Sequence, residues 1–287
     1  MYSPPLPPAL LTRDGLKLHV SHWPVAAPKG VVVLLHGLCE HAGRYDELAR
    51  KLNELQWAVV APDHRGHGRS EGPRGAMASD DDPLHDLASL MDLVATHYVG
   101  FKRVLLGISM GGAIAARFAS AAALPVEDAE WSRPIDGLIL SAPALLPTMS
   151  LVQKTLLSTM GRLMQDLAVP VVFRPEWASS NPDAIRELLA DPLVHWRITP
   201  RLALFMANSG QTALRRAPAW NTPTLLLYSE IDRLVTPSGC AQFANALPPG
   251  LGTTHAYTQL AHDLWHEPQR AVAYKALGQW LSSQFRT

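Results

Sequence analysis

The chain has 287 residues, 47% of them hydrophobic, and its 25 basic residues balance its 25 acidic residues. This length suits one large folded unit with an insertion, and the balanced charge excludes the basic surface that nucleic-acid binding requires. The distant cysteines Cys39 and Cys240 are expected to be free thiols, and the lack of a secretion signal or membrane-spanning apolar run predicts a soluble, cytoplasmic protein.

Short apolar runs alternate with longer segments of helical period, a pattern typical of a parallel sheet flanked by helices. Residues 11–23 contain an Asp14-Gly15 turn between two strand-like stretches, which predicts an antiparallel hairpin at the sheet edge. The strands predicted after it are Val31–His36, Trp57–Asp63, Arg103–Ile108, Ile135–Ser141, Thr224–Ser229 and, more weakly, Thr253–Leu260. Helices are predicted at Tyr45–Leu55, Leu84–Val94 and Val272–Leu281.

The alternation stops between residues 144 and 219, where Leu, Met and Val recur at helical spacing. We interpret residues 144–219 as a helical lid inserted into a core domain of residues 1–143 and 220–287. Its prolines should divide it into short helices and turns: Pro147, Pro170, Pro175, Pro182, Pro192 and Pro200. Its apolar residues suit an acyl pocket and equally suit packing against the core: Met149, Leu151, Leu156, Leu157, Met160, Leu163, Met164 and Leu167.

A candidate nucleophile follows the third of these buried strands. The segment Gly107-Ile108-Ser109-Met110-Gly111 precedes a stretch of small, helix-forming residues. A sharp strand-to-helix turn lifts a serine hydroxyl out of the sheet, and small neighbours allow the close approach that this turn needs. Ser109 is therefore the predicted nucleophile, the alternative being an ordinary glycine-rich turn.

A serine hydroxyl needs a base to take its proton and a carboxylate to orient that base. The last two predicted strands lead into Asp232 and His262, which gives the chain order Ser, Asp, His. Glu230 is the competing acid, but it lies closer to the strand end. Among the rival bases, His255 lies inside a strand and His266 is expected to open the last helix. Asp232 and His262 are the predicted acid and base.

The predicted oxyanion hole combines two backbone N–H groups. One belongs to Met110, directly after the nucleophile, and the other to Leu38, in the loop after the strand Val31–His36. The hole would stabilise the negative charge that develops on the substrate oxygen during attack.

The segment 63–70 raises the alternative of a metal site at His64 and His67. Two histidines three residues apart lack a third ligand of known spacing, and no H-E-x-x-H is present. A structural turn is favoured, in which the glycines adopt positive φ and Asp63 and Arg65 form local hydrogen bonds. No metal or organic cofactor is expected.

Taken together, these motifs resemble the monoacylglycerol lipase and lysophospholipase family of the α/β-hydrolase superfamily. The resemblance covers most of the chain. Its specific parts are His36-Gly37-Leu38-Cys39-Glu40-His41 with Gly43-Arg44-Tyr45, Asp63-His64 with Gly66-His67-Gly68 and Ser70-Glu71-Gly72, and Ser109-Met110-Gly111-Gly112. The resemblance also places Asp232-Arg233-Leu234 at the family's acid, His262 and Glu267 at its histidine segment, and Asp191-Pro192-Leu193 in its lid.

The resemblance implies an α/β-hydrolase fold with a lid and a serine ester hydrolase that cleaves lipid-like monoesters through an acyl-enzyme. A small lipid-like ester is the expected partner, and the apolar lid suggests peripheral contact with a membrane. Another ester, a thioester, a lactone or an amide stays open as the substrate, since one fold and triad serve many chemistries. A non-catalytic ligand-binding protein is disfavoured because every triad member is present, and the oligomeric state is left open.

Overall fold

The computed structural model describes residues 6–123, 129–146, 164–172 and 174–285. Eight of its strands form one sheet in the order β1-β2-β4-β3-β5-β6-β9-β10, and β7 and β8 form a separate two-stranded sheet. Strands β3–β6, β9 and β10 run parallel, whereas β1 and β2 are antiparallel at one edge. The strands are β1 (Ala9–Leu11), β2 (Lys17–Trp23), β3 (Gly30–Leu35), β4 (Trp57–Pro62), β5 (Lys102–Ile108), β6 (Gly137–Ser141), β7 (Val169–Pro170), β8 (Arg197–Ile198), β9 (Thr224–Ser229) and β10 (Gly252–Tyr257).

Helices cover both faces of the sheet. Among the described residues they are α1 (Asp46–Glu54), α2 (Asp82–His97), α3 (Met110–Ala119), α4 (Pro182–Ala190), α5 (Pro200–Arg216), α6 (Pro237–Ala246) and α7 (Ala271–Gln284). Short 3₁₀ turns occupy Ala42–Tyr45, Ser120–Ala123, Pro175–Trp177 and Ala217–Ala219.

Strand β3 shows why the central strands are continuously apolar. Its alternate side chains point to opposite faces, so Val31, Val33 and Leu35 join one core and Val32 and Leu34 the other. The first core packs against α2, α3, α5 and α6, and the second packs against α1 and α7. A strand buried on both faces needs apolar residues at every position.

The predicted parallel sheet flanked by helices is confirmed, as is the hairpin at its edge. The predicted sixth strand is too long, since β10 ends at Tyr257. The last helix begins only at Ala271, so the expectation that His266 opens it is wrong. Cys39 and Cys240 are free and buried, as expected. No helix among the described residues is long and apolar enough to cross a membrane.

The described part of residues 144–219 contains β7, α4, β8 and α5. Helix α5 has 17 residues, so the prediction of short helices alone is wrong for it. Pro182 and Pro200 lie in the first turn of α4 and α5. A backbone N–H in the first turn has no partner within the helix, so proline costs no helical hydrogen bond there. Most of the apolar residues for which a pocket lining and core packing were equally open, from Met149 to Leu163, lie outside the described residues. Met164 and Leu167 are described.

Replacement of Gly111 by alanine is expected to destabilise the fold. Its Cβ would lie 2.6 Å from the carbonyl oxygen of His36, and backbone at the end of a central strand cannot move aside cheaply. We expect Gly111→Ala to lower the free energy of unfolding by about 1–3 kcal/mol, as overpacking does. Urea denaturation followed by circular dichroism measures this free energy.

Gly278 in α7 provides the matched control, because a Cβ there meets only ordinary contacts at 3.5 Å and beyond. Gly278→Ala should be neutral or stabilise the protein by about 0.5–1 kcal/mol, since alanine is the better residue inside a helix. Equal stability losses in the two variants would contradict the packing argument.

Candidate active site

Ser109 occupies a strained turn between the end of β5 and the start of α3. Its backbone has φ 52° and ψ −113°, a conformation rare for a residue with a side chain. Glycines on either side make the turn feasible: a Cβ on Gly107 would lie 2.7 Å from the Cβ of Ala115, and one on Gly111 would meet the end of β3. The prediction that the close approach at this turn requires small residues at positions 107 and 111 is confirmed.

The structure brings the three predicted triad side chains together at the carboxyl ends of β5, β9 and β10. Nδ1 of His262 donates a hydrogen bond to Oδ2 of Asp232 at 2.6 Å. Because a carboxylate only accepts, that proton leaves Nε2 as the acceptor, and Ser109 Oγ lies 2.9 Å from it. Oδ1 of Asp232 accepts the N–H groups of Leu234 and Val235. This geometry fits a base that can withdraw the serine proton.

The electrostatics of the triad favour a protonated histidine. Burial alone would lower the pKa of His262, but the charge and hydrogen bond of Asp232 outweigh burial, and the pKa lies above its ordinary value of 6.5. Asp263 and Glu40 raise the same pKa further. Asp232 therefore makes His262 a stronger base and would stabilise the imidazolium that forms during attack.

The rival residues lie apart from this arrangement. Glu230 is exposed to solvent. His255 is half-buried on β10, where its ring stacks beside that of Tyr257. His266 hydrogen-bonds to Asp263 and to the backbone of Arg44.

A buried histidine orients the amide group of Leu38. His36 accepts the N–H of His64 at Nε2, so its Nδ1 carries the proton and donates to the carbonyl oxygen of Gly37 at 2.7 Å. In a trans peptide the N–H points opposite to the C=O, so the N–H of Leu38 points away from His36. Within the hydrogen-bond network of the described residues this N–H has no partner. The predicted donor is therefore free.

The amide group of Met110 is oriented in the same way. The carbonyl oxygen of Ser109 accepts the N–H groups of Ala113 and Ala144, at 3.1 and 2.9 Å. This points the N–H of Met110 in the opposite direction, and it too has no partner among the described residues. Both predicted oxyanion donors thus remain available to a ligand.

Sequence reasoning did not assign a role to Glu40, although it lies in the first motif. Its Oε1 accepts the N–H of Gly37 and the hydroxyl of Tyr45, both at 2.6 Å. Its Oε2 accepts Nε of Arg44 at 3.2 Å. Glu40 therefore holds the loop that carries Leu38. The sequence signal for this role was the spacing of Gly37 and Glu40, which lie three residues apart.

The turn at residues 63–70 is built as a structural feature. Gly66 and Gly68 have the expected positive φ, and Asp63 accepts the N–H groups of Ala42 and Arg69. The expectation of local hydrogen bonds for Arg65 holds for its backbone carbonyl oxygen, which accepts Nδ1 of His67, but not for its side chain. Its guanidinium binds carboxylates far away in sequence, on Asp14, Asp82 and Asp86, and so ties the edge hairpin to α2.

The two histidines of this turn are held by backbone oxygens. His64 lies 3.2 Å from the carbonyl oxygen of His36, and His67 lies 2.9 Å from that of Arg65. Burial lowers the pKa of both well below its ordinary value. In the described parts of the chain, no group of three or more His, Cys, Asp or Glu residues is arranged to hold a metal ion.

A cavity of about 690 Å³ opens at Ser109, within the range of ligand-binding pockets. Its apolar lining comes largely from residues 164–206, including Met164, Leu167, Trp177, Trp196, Ile198 and Met206. Its charged lining comes from Glu40, Arg44, Arg233 and Asp263, and Thr199 is a polar residue that lines it within residues 164–206. The cavity can therefore accept a molecule with a large apolar part.

The segment 164–219, predicted to belong to a lid, contacts both loops that carry site residues. Asp191 accepts a hydrogen bond from His41 at 2.8 Å, which joins this segment to the loop of Leu38. The fully buried carboxylate of Glu267 accepts the hydroxyls of Ser179 and Ser180 and the N–H of Ala261, the residue before His262. Both contacts involve segments that the sequence resemblance singled out.

A mostly parallel sheet with a strained serine at the end of β5, and with histidine and aspartate at the ends of its last two strands, defines an α/β hydrolase. A sequence profile described as "Serine aminopeptidase, S33" matches residues 26–269, and the chain belongs to this family.

Known proteins similar to this chain place it in a smaller group within the α/β hydrolases. The chain is 30% identical to a monoacylglycerol lipase of Mycolicibacterium smegmatis over 277 residues, which are 94% of either chain. It is 31% identical to monoglyceride lipase of Rattus norvegicus over 91% of this chain and 84% of that one. The crystal structure of Paleococcus ferrophilus monoacylglycerol lipase superposes with a TM-score of 0.81 at 29% identity, covering 93% of this chain and 99% of that one. The protein is a serine ester hydrolase of the monoacylglycerol-lipase-like group.

The pKa of His262 gives a testable pH profile. The base acts only when neutral, so kcat/KM should be low in acid and rise with pH through an ionisation above 6.5, the ordinary value. In Asp232→Asn the strongest cause that raises the pKa of His262 is gone while burial still lowers it, so the acid limb should move to lower pH. The same variant should lose about four orders of magnitude in kcat, as in triads of this type.

Steady-state hydrolysis of p-nitrophenyl butyrate between pH 4 and 9 measures both effects. Glu230→Gln is the matched control, since this exposed neighbour should alter neither the acid limb nor kcat. A shift of the limb in Glu230→Gln but not in Asp232→Asn would reverse the assignment of the acid.

Proposed function

We propose that the protein hydrolyses carboxylic esters of lipid-like monoesters, of monoacylglycerol or lysophospholipid type, through an acyl-enzyme on Ser109. His262 takes the proton of the Ser109 hydroxyl as Oγ attacks the ester carbonyl, and Asp232 holds the imidazole in the required tautomer. The imidazolium then protonates the leaving alcohol. Water, activated by the same base, cleaves the acyl-enzyme and regenerates the serine. The hydrogen bonds from Ser109 through His262 to Asp232 support this sequence of steps.

The backbone N–H groups of Leu38 and Met110 are proposed to bind the substrate oxygen as it becomes negative. Their orientation away from His36 and from the helix interior supports this role, as does their lack of other partners in the described chain. Donors held by rigid peptide planes need no reorientation during the reaction, and one such donor contributes about 2.7–4 kcal/mol to the transition state. No metal or cofactor is required by this scheme.

The cavity is the single observation that carries the proposed substrate class. A largely apolar chamber opens at Ser109, and its charged side chains lie on the loops that carry Leu38, Asp232 and His262. An acyl chain fits the apolar part, and the hydroxyl-bearing alcohol of a monoester fits beside the polar residues. The names of the relatives, monoacylglycerol and monoglyceride lipases, agree with this division.

The lid also supports contact with a lipid surface. Four residues that line the cavity, Met164, Leu167, Val169 and Val172, are themselves exposed, with Val172 86% exposed. Exposed apolar residues that also line an apolar chamber are suited to meet a membrane or another lipid aggregate. We propose that the monoester enters from such a surface.

Labelling with a fluorophosphonate tests the nucleophile. Among the serines that the structure describes, Ser109 alone combines a strained turn with a base at 2.9 Å, so the intact mass should rise by one adduct that maps to its peptide. Ser109→Ala should abolish labelling and lower kcat by about six orders of magnitude while leaving the thermal midpoint nearly unchanged. An adduct on another serine of an active protein would remove the assignment.

A series of substrates tests the chamber. Each methylene buried in an apolar pocket contributes about 0.8 kcal/mol, so kcat/KM should rise about fourfold per carbon until the chamber is full. We expect medium and long monoacylglycerols to exceed the acetate ester, and a triacylglycerol to be a poor substrate. The measurement is kcat/KM for monoacylglycerols from two to sixteen carbons, below their aggregation limits, beside triolein.

Three outcomes, the last from an added amide substrate, would contradict the proposal that the substrate is a lipid monoester. A maximum at acetate, or triolein turned over as fast as the monoesters, would leave only a generic esterase. An aminoacyl p-nitroanilide turned over faster than every monoester would favour amide hydrolysis, the chemistry in the family's description.

A further inference from the structure

A second histidine–carboxylate pair lies beside the triad, on the loop that follows the base. Nδ1 of His266 lies 2.7 Å from Oδ2 of Asp263, and its Nε2 lies 2.9 Å from the carbonyl oxygen of Arg44. A carboxylate and a carbonyl are both acceptors, so the two bonds form only when each ring nitrogen carries a proton. His266 is therefore an imidazolium. His262 differs, because its Nε2 faces a hydroxyl that can donate.

The surrounding charges agree with this protonation state. Burial alone would lower the pKa of His266, but the charge and hydrogen bond of Asp263 outweigh burial and raise the pKa to about 9. Burial likewise acts to raise the pKa of Asp263, yet the cations of His266 and Arg44 hold that pKa below its ordinary value.

The other groups that face His266 do not titrate near pH 9. The ring of Tyr45 lies 5.5 Å from that of His266, and burial raises the pKa of Tyr45 well above its ordinary value. From the lid, the uncharged amide of Asn181 donates to the carbonyl oxygen of His266. Nη2 of Arg44 lies 3.8 Å from Oδ2 of Asp263, and this guanidinium stays charged over the pH range of the reaction.

A continuous chain of bonds leads from His266 to the oxyanion loop. His266 holds the backbone of Arg44, and Nε of Arg44 donates to Glu40. Glu40 in turn accepts the N–H of Gly37, whose carbonyl group shares a peptide plane with the N–H of Leu38. At its other end the chain reaches Asp263, the residue directly after His262. The base and one oxyanion donor are thus tied together across 222 residues of sequence by His266 and Arg44.

We propose that His266, as an imidazolium held between Asp263 and the backbone of Arg44, is a positioning residue that keeps the loop of His262 in register with the loop of Leu38. It touches neither the substrate nor the reacting atoms. When His266 loses its proton, one of its two acceptors loses its donor, and the connection between the loops is released. The inference rests on the proposed function, since it concerns the same triad and oxyanion hole.

The consequence is an alkaline limb in kcat that belongs to His266, separate from the acid limb of His262. Above pH 9 the wild-type kcat should fall. His266→Gln lacks the imidazolium at every pH, so its kcat at pH 7 should be about tenfold to a hundredfold lower, with no alkaline limb near pH 9. His266→Lys keeps a cation, with an ordinary pKa of about 10.4. Its alkaline limb should therefore move to higher pH, and its kcat at pH 7 should lie between those of His266→Gln and the wild type. KM should change little because the apolar chamber is intact.

The experiment is the kcat profile of p-nitrophenyl butyrate hydrolysis from pH 5 to 11 for the wild type and these two variants. His255→Gln is the control, since His255 lies on the outer strand β10 away from the site and should leave the profile unchanged. Thermal midpoints show whether a variant is folded. Nitrogen-15 NMR of the wild type at pH 7, assigned with His266→Lys, should show both ring nitrogens of His266 protonated.

A neutral His266 at pH 7 would overturn the inference even if every variant failed to fold. So would a wild-type profile without an alkaline limb, or an alkaline limb that persists unchanged in His266→Gln. These outcomes are separate from failure of the proposed function, which would appear as absent Ser109 labelling or absent turnover of monoesters by the wild type at every pH.

Discussion

The backbone of Ser109 is the constraint on which the site depends. Its positive φ is unfavourable for a serine by about 1–3 kcal/mol, and the surrounding structure must enforce it. Gly107 and Gly111 allow α3 to pack directly against the ends of β5 and β3, where no side chain would fit. The same turn aims the hydroxyl at His262 and exposes the N–H of Met110. The predicted nucleophile and the predicted oxyanion donor therefore come from one local conformation, and the surrounding sheet and helix maintain it.

The orientation of the Leu38 N–H depends on buried polar contacts. His36 holds the carbonyl group of Gly37, which shares a peptide plane with the N–H of Leu38, and Glu40 holds the N–H of Gly37 in the preceding peptide plane. A hydrogen bond to a charged group is stronger than a neutral one, and Glu40 is itself paired with Arg44. The ionic cluster beside the triad thus stabilises the position of a backbone group.

The segment 164–219 is joined to the loops that carry the predicted site residues. The hydrogen bond between His41 and Asp191 joins it to the loop of Leu38, and the buried Glu267 joins it to the segment before His262. Helix α5 shares a core with α3, the helix that begins directly after the nucleophile. Because of these contacts, the segment that lines the apolar chamber also supports the geometry of the triad.

The sequence alone determined the fold class, because strands buried on both faces require unbroken apolar runs, and it determined the order of triad candidates, because parallel strands end at one edge of the sheet. It also indicated the glycines beside Ser109. It also favoured Asp232 over Glu230, because Glu230 lies closer to the strand end. Only the tertiary structure placed Asp232 within hydrogen-bond distance of His262 and showed that Arg65 binds distant carboxylates, since such contacts depend on side chains that are far apart in sequence. The protonation of His266 was likewise beyond the sequence: it follows from a carbonyl group 222 residues away, and local patterns carry no information about which backbone oxygen a folded loop will present to a ring nitrogen.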